Sequence, residues 1–282
     1  MRVVLAKHIG FCSGVRRAVK IVEDLLINNK KENIFCFGAV IHNQQVLEKL
    51  RKQGLKEVSS LKTIKSPAYL VLPSHGTSRD VIKLAKQKRL RIVDVTCPYV
   101  ASVQNICKRL NKAGYQILIL GDREHPEIKA LLSIAPKAKV VNRTGEIKDL
   151  DFNLRLGVIS QTTQSKEKFL SLINYLLNNK PLIKELRIFN TICLDSLSRQ
   201  KEVVKLAKQN EAVLIIGSKF SANTKRLLGI SLKFNSHSYL IEGLSSLEQI
   251  LKNNFKSIGI ISGASTPDWL VREIIERIKK ED

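Results

Sequence analysis

The sequence predicts an α/β protein of three similar units with mostly parallel sheets, set in a pseudo-threefold arrangement with their loops toward one centre. Three sets of recurring marks predict it. Cys12, Cys97 and Cys193 lie 85 and 96 residues apart, and each closes a short apolar run and opens an amphipathic stretch. Apolar runs ending in glycine recur at Gly38, Gly121 and Gly217, 83 and 96 residues apart. A third set of runs ends at Ser74, Ser160 and Ser262. Strand-length apolar runs that alternate with longer amphipathic segments indicate βαβ units, and a period of about 90 residues is the size of a small domain.

The elements follow in order. MRVVLAKHIGFC reads as a strand leading to Cys12, and SGVRRAVKIVEDLL as the helix after it. NIFCFGAVIHN is a strand ending at Gly38, with QQVLEKLRKQG helical behind it; AYLVLPSHGTS and RDVIKLAKQK repeat the pattern at Ser74. RIVDVTCPYV then brings Cys97 to the start of VASVQNICKRL. The second unit repeats this with YQILILGDREHPE, LRLGVISQTTQS and LRIFNTIC, each followed by a helical pattern. The third has AVLIIGSKFSAN and SIGIISGASTP but no cysteine strand of its own; the strand before Cys12 supplies it. The expected units are 1–97 (its N-terminal strand and Cys12 loop completing the third), 98–193 and 194–282. In parallel sheets ligands bind at the carboxyl ends of strands, and every mark named above stands at such an end.

Composition narrows the classes. With 44% hydrophobic residues and no apolar run near the roughly 20 residues a membrane span needs, the chain reads as soluble. The start MRVVLAKHIG lacks a signal-peptide layout, so a cytoplasmic protein with reduced thiols is expected. Lys and Arg number 48 against 25 Asp and Glu, a net charge of +23. Such a balance often marks nucleic-acid binding. Here the cations are dispersed along helix faces with few aromatics between them, and no nucleic-acid-binding signature is present, so no nucleic-acid partner is expected. A positive field also attracts anions, among them an acidic electron carrier or a phosphorylated substrate.

The strand-end residues carry chemistry. A cysteine at a helix N-terminus feels the positive end of the helix dipole and free backbone N–H groups, which favour the thiolate that binds metal. A lone cysteine is usually a small buried apolar residue, and Cys36 and Cys107 fit that description. Cys12, Cys97 and Cys193 recur at one structural position, and three thiolates leave an iron–sulfur cube with one iron open to substrate. There is no CxxC pair, which argues against a zinc ribbon or a thioredoxin-like site. His42, His75 and His125 fall in strand-end loops, joined by Thr162, Thr163, Ser221, Asn223 and Ser265. Such donors at helix N-termini suit a phosphate or diphosphate. No Walker or dinucleotide-type glycine loop is present. Glu127 is the carboxylate placed among these loops; a carboxyl beside an anionic ligand has a raised pKa and suits proton delivery.

Taken together, GFCSGVRRA, GAVIHN, PSHG, DVTCP, GDREHPE, SQTTQS, TIC…RQ, FSANTKRL and SGASTPDWLV resemble the 4-hydroxy-3-methylbut-2-enyl diphosphate reductase family of the methylerythritol phosphate route to isoprenoids. The motifs run in order from residue 10 to residue 271 and are specific as a set. The resemblance implies a [4Fe–4S] cluster held by Cys12, Cys97 and Cys193, with the fourth iron open to the substrate's hydroxyl. It implies a two-electron, two-proton loss of that hydroxyl as water, giving isopentenyl or dimethylallyl diphosphate. It implies diphosphate binding by His42, His75, His125, Ser221, Asn223 and Ser265, a threonine near the reacting end at Thr162 (with Thr163 the alternative), and Glu127 as proton-relay acid. The chain departs from the family pattern at Ala222, where a second serine is usual, at Asn190, where an acid is usual, and at Ile128, Lys129 and Ala130 in place of Val-Glu-Gly.

Two rival classes predict different behaviour. A basic nucleic-acid-binding protein would be colourless, with strongly salt-dependent affinity. A cluster-dependent dehydratase would need no external electrons.

Overall fold

The computed structural model describes residues 1–147 and 155–280. Strands and helices mostly alternate among the described residues. The first stretch contains β1 (Arg2–Leu5), α1 (Ser13–Asn28), β2 (Ile34–Phe37), α2 (Gln44–Lys52), β3 (Lys56–Val58), β4 (Tyr69–Leu72), α3 (Arg79–Gln87) and β5 (Arg91–Asp94). The second contains α4 (Pro98–Lys112), β6 (Gln116–Leu120), α5 (Pro126–Ile134), β7 (Lys139–Val141), β8 (Arg155–Ser160), α6 (Lys166–Asn179) and β9 (Glu185–Ile188). The third contains α7 (Leu194–Gln209), β10 (Ala212–Ile216), α8 (Ala222–Ser231), β11 (Ser238–Ile241), α9 (Leu244–Leu251), β12 (Ser257–Ser262) and α10 (Asp268–Lys279).

These strands form three four-stranded sheets, paired in parallel throughout, with one shared order: β1–β12–β10–β11, β5–β4–β2–β3 and β9–β8–β6–β7. Each sheet begins with an edge strand whose following loop carries Cys12, Cys97 or Cys193, continues through the serine-ended and glycine-ended strands, and closes on a short strand. The expected class, α/β with three similar parallel-sheet units, is what the chain adopts. The inner strands read as unbroken apolar runs because helices cover both their faces; β10 and β12 are buried along their whole length.

Period-two alternation sorts the core. Val213 and Ile215 of β10 pack with Val203, Leu206 and Leu227 from α7 and α8, whereas Leu214 and Ile216 pack with Leu247, Leu270 and Ile274 from α9 and α10. Each fully buried Leu or Ile stabilises by about 1.5–3 kcal/mol. Helix α4 buries Val100, Val103, Cys107 and Leu110 in a helical-spacing stripe, the last three packing with Ile117 and Ile119 of β6. Leu110 lies so close to Gly157 of β8 that a side chain there would collide with it.

The chain forms two compact units. The first comprises Met1–Arg16, Ile41–Glu48 and Leu194–Asp282 and holds the sheet built on β10 and β12; the second comprises Arg17–Val40 and Lys49–Cys193 and holds the other two sheets.

Candidate active site

In the second unit, the expected site residues form a run of neighbours at the carboxyl ends of the strands. The Cys97 N–H donates to Ser74 O at 2.9 Å, which ties the cysteine turn after β5 to the loop after β4. His75 follows in that loop, and its ring meets that of His125 edge-on at 6.4 Å between centroids. His125 caps α5, with Pro126 at the first helical position, and its Nδ1 accepts from the Glu127 N–H at 3.2 Å. That bond fixes the imidazole tautomer, leaving Nε2–H as a donor suited to an anion. The Glu127 carboxyl accepts from the Thr162 N–H and from the Thr162 hydroxyl, each at 2.8 Å. Thr162 O in turn accepts from the Cys193 N–H at 2.9 Å.

Glu127 is only 2% exposed. Burial, opposed by the two hydrogen bonds from Thr162, raises its pKa from 4.5 to about 7. The adjacent Thr163 hydroxyl accepts from Gln161 Nε2 at 3.1 Å, so Thr162 is the threonine joined to the carboxyl. Gln161 was not among the expected residues; its other amide atom accepts from the Asp122 N–H at 3.0 Å and binds the loops after β6 and β8 together.

In the first unit, the loop carrying Cys12 is laced to the loop after β12. The Gly10 N–H donates to Ser262 Oγ at 2.7 Å and the Cys12 N–H to Ala264 O at 3.0 Å. Ser265 Oγ donates to His42 O at 3.2 Å, and burial lowers the His42 pKa, which favours a neutral imidazole. Ser221 caps α8, its hydroxyl accepting from the Thr224 N–H at 3.3 Å. Asn223, in the first turn, accepts at Oδ1 from Ser196 Oγ at 3.4 Å, while its Nδ2 is buried with no partner among the described residues. A buried amide donor left open in this way suits an anionic guest.

Gly10 adopts a left-handed φ of +76°, and a Cβ there would overlap the Asp268 carboxylate, which pairs with Arg16 at 2.6 Å. Gly10→Ala is expected to cost about 1–3 kcal/mol, read as a lower urea midpoint. An unchanged midpoint would show that the loop does not need this conformation.

The cysteines divide as their contexts suggest. Cys12, Cys97 and Cys193 are partly exposed and in no disulfide, each directly before a helix, and Cys12 Sγ accepts from the Val15 N–H at 3.4 Å. Cys36 and Cys107 are fully buried; burial pushes both thiols up, Cys107 to about 11. Among the described residues no group of three or more His, Cys, Asp or Glu side chains stands ready to hold a metal ion. The donor chemistry nevertheless fits an iron–sulfur group: three accessible, reduced thiols at helix N-termini.

Two of the departures have a local account. The Asn190 side chain accepts from the Ile192 N–H at 3.4 Å, shaping the turn into Cys193. Ile128 is buried against Gly121, where any Cβ would strike its side chain.

Comparison with known proteins gives a consistent result. A family model described as "LytB protein" matches residues 3–279. A protein of Campylobacter hominis named 4-hydroxy-3-methylbut-2-enyl diphosphate reductase is 38% identical over 280 residues, covering 99% of this chain and 98% of that protein. One of the same name from Sulfurimonas denitrificans is 38% identical over 283 residues, covering 99% of each. Among solved structures, the E-1-hydroxy-2-methyl-but-2-enyl-4-diphosphate reductase of Plasmodium falciparum superposes with a TM-score of 0.91 at 28% identity, covering 99% of this chain and 87% of that one.

Proposed function

The chain belongs to the LytB protein family, and from that membership we infer that it is a reductase of 4-hydroxy-3-methylbut-2-enyl diphosphate. The reaction takes two electrons and two protons, releases the substrate's hydroxyl as water, and gives isopentenyl and dimethylallyl diphosphate. The observation that supports the site assignment is the run of contacts from Cys97 through Ser74, His75, His125, Glu127 and Thr162 to Cys193. It joins thiols, anion donors and a carboxyl of raised pKa in one line of neighbours.

Members of this family are generally iron–sulfur proteins. In the finer reading proposed here, Cys12, Cys97 and Cys193 hold a [4Fe–4S] cluster. When bound, it supplies electrons and an iron without a protein ligand, a Lewis acid toward the hydroxyl oxygen. The protein's own residues do the rest. His42, His75, His125, Ser221, Asn223 and Ser265 bind the diphosphate; imidazole, amide and hydroxyl groups donate to it, each charge-assisted bond contributing roughly 1.5–3 kcal/mol. Ala222 offers no such donor, which weakens binding by about 0.5–1.5 kcal/mol relative to a serine. Glu127, its pKa raised to about 7, can take up and release a proton near neutral pH, and the Thr162 hydroxyl, bonded to its carboxyl, relays that proton toward the reacting end. We propose further that the three repeats, 1–97, 98–193 and 194–282, are the working units, with the N-terminal strand and Cys12 loop of the first completing the third, so that each completed unit contributes one cysteine loop.

Among the described residues no helix is long and apolar enough to cross a membrane. We place the enzyme in the cytoplasm, where thiols stay reduced, with an acidic flavodoxin- or ferredoxin-like protein as electron donor, drawn by the +23 net charge. The test is anaerobic purification followed by substrate-dependent oxidation of a reduced, uncharged dye. A brown protein that oxidises the dye only with substrate supports the reading; a colourless protein that cannot be loaded with iron, or one that turns over without a reductant, overturns it. With a protein donor the rate should fall steeply with added salt while the dye rate holds. Identical salt curves would remove the electrostatic argument for the donor.

A further inference from the structure

Arg199 has no place in the mechanism above, yet its buried side chain is fully engaged. It is 1% exposed, and all five of its N–H donors are used. Nε and Nη2 grip both oxygens of Asp195, one turn earlier on α7, at 2.8 and 3.3 Å. Nη2 also donates to Gly10 O at 2.9 Å, and Nη1 to His8 O at 3.0 Å and Ser262 O at 2.8 Å. One guanidinium thus joins the loop leading to Cys12, the end of β12 from which the Ser265 loop departs, and the first turn of α7.

A buried cation is costly to keep unless it is paired and hydrogen-bonded. An apolar residue would fill the same space without that cost, so packing alone does not account for an arginine. Its fork is suited to three backbone carbonyls converging from two separate loops. Lysine is not an equivalent: it presents three donors at one point on a flexible stem. Asp195 fixes the fork's orientation, and because it stands two residues after Cys193, the clamp is anchored in the helix that this cysteine opens.

We propose that Arg199 is a positioning residue that holds the Cys12 loop, and with it the Ser265 loop, in the conformation needed for the reaction. The proposal rests on the reading of Cys12 as a cluster ligand, but its test has a readout that does not require the cluster. In cluster-free Arg199→Lys protein, alkylation of Cys12 by iodoacetamide, followed by mass spectrometry, should be faster than in the native chain by about tenfold, because a released loop exposes its thiol. Cys97 serves as the internal control and should keep its native rate. In the loaded variant, chelators should remove iron sooner than from the native protein. A native Cys12 rate, or equal acceleration at Cys12 and Cys97, would overturn the proposal, the latter because it signals general loosening. Should Arg199→Lys fail to fold, Asp195→Asn decides. It keeps the size of the partner but frees the fork, and should speed Cys12 alkylation selectively by about threefold; no selective change there overturns the proposal too. If the native protein takes up no iron while Cys12 is released selectively, the positioning role stands and the cluster reading falls.

Discussion

Replacing Cys12, Cys97 or Cys193 by serine is expected to remove most of the cluster iron and essentially all turnover, whereas Cys36→Ala and Cys107→Ala keep both. The difference lies in the chemistry of the donors and in their surroundings. Serine is a hard oxygen donor with a very high pKa and replaces a soft thiolate poorly on iron. Cys36 and Cys107 are fully buried with raised thiol pKa values, so neither offers a thiolate to a metal. Their truncation to alanine removes one buried sulfur each, a small cavity in a core that is otherwise unchanged. Iron and sulfide analysis of the five variants, beside the visible spectrum, decides the matter. Equal iron in all five would refute the ligand set.

Glu127→Gln is expected to lower turnover by about 10²–10⁴-fold, the usual contribution of a general acid, with substrate affinity little changed. Glutamine keeps the shape and an oxygen for the Thr162 N–H but has no proton to deliver. The pH dependence follows from the same carboxyl. Its pKa is raised from 4.5 to about 7 by burial, so the acid form is present at neutral pH and is lost as pH rises through 7. The native rate should therefore fall above pH 7, and the variant should lack that limb. Stability carries the matching sign. A raised carboxyl pKa contributes stability that is complete below 4.5 and lost as pH rises through about 7, a difference of roughly 3 kcal/mol at most. In urea unfolding, Glu127→Gln should flatten the pH slope between those values. Near-native turnover by Glu127→Gln would assign the proton to another group.

Much of this was legible in the sequence because it was written in period and punctuation. The strands ending at Gly38, Gly121 and Gly217 are central and buried, and long apolar runs announce such strands whatever their context. The short edge strands Lys56–Val58, Lys139–Val141 and Ser238–Ile241 were not anticipated. They are three or four residues long, carry polar residues, and exist because a neighbouring strand offers a free edge. The pairing of Glu127 with Thr162 spans 35 residues and obeys no spacing rule; each residue could be singled out, but not their contact. Arg199 stood in plain view in the run LSRQ, where its neighbours suggest an exposed helix face. Only the fold shows it to be enclosed by His8, Gly10 and Ser262.

The pairing of β1 with β12 carries a consequence for how the protein is made. Arg2 lies opposite Ser257, so β1 must wait for a partner strand that is synthesised much later in the chain. At roughly 5–20 residues per second, that interval is on the order of ten to fifty seconds. Cys12 spends it on a segment without its sheet, while the two sheets of the second unit have all their strands in one continuous span. Maturation of the nascent chain is thereby ordered in time: of Cys12, Cys97 and Cys193, the thiol translated before the other two is framed after them.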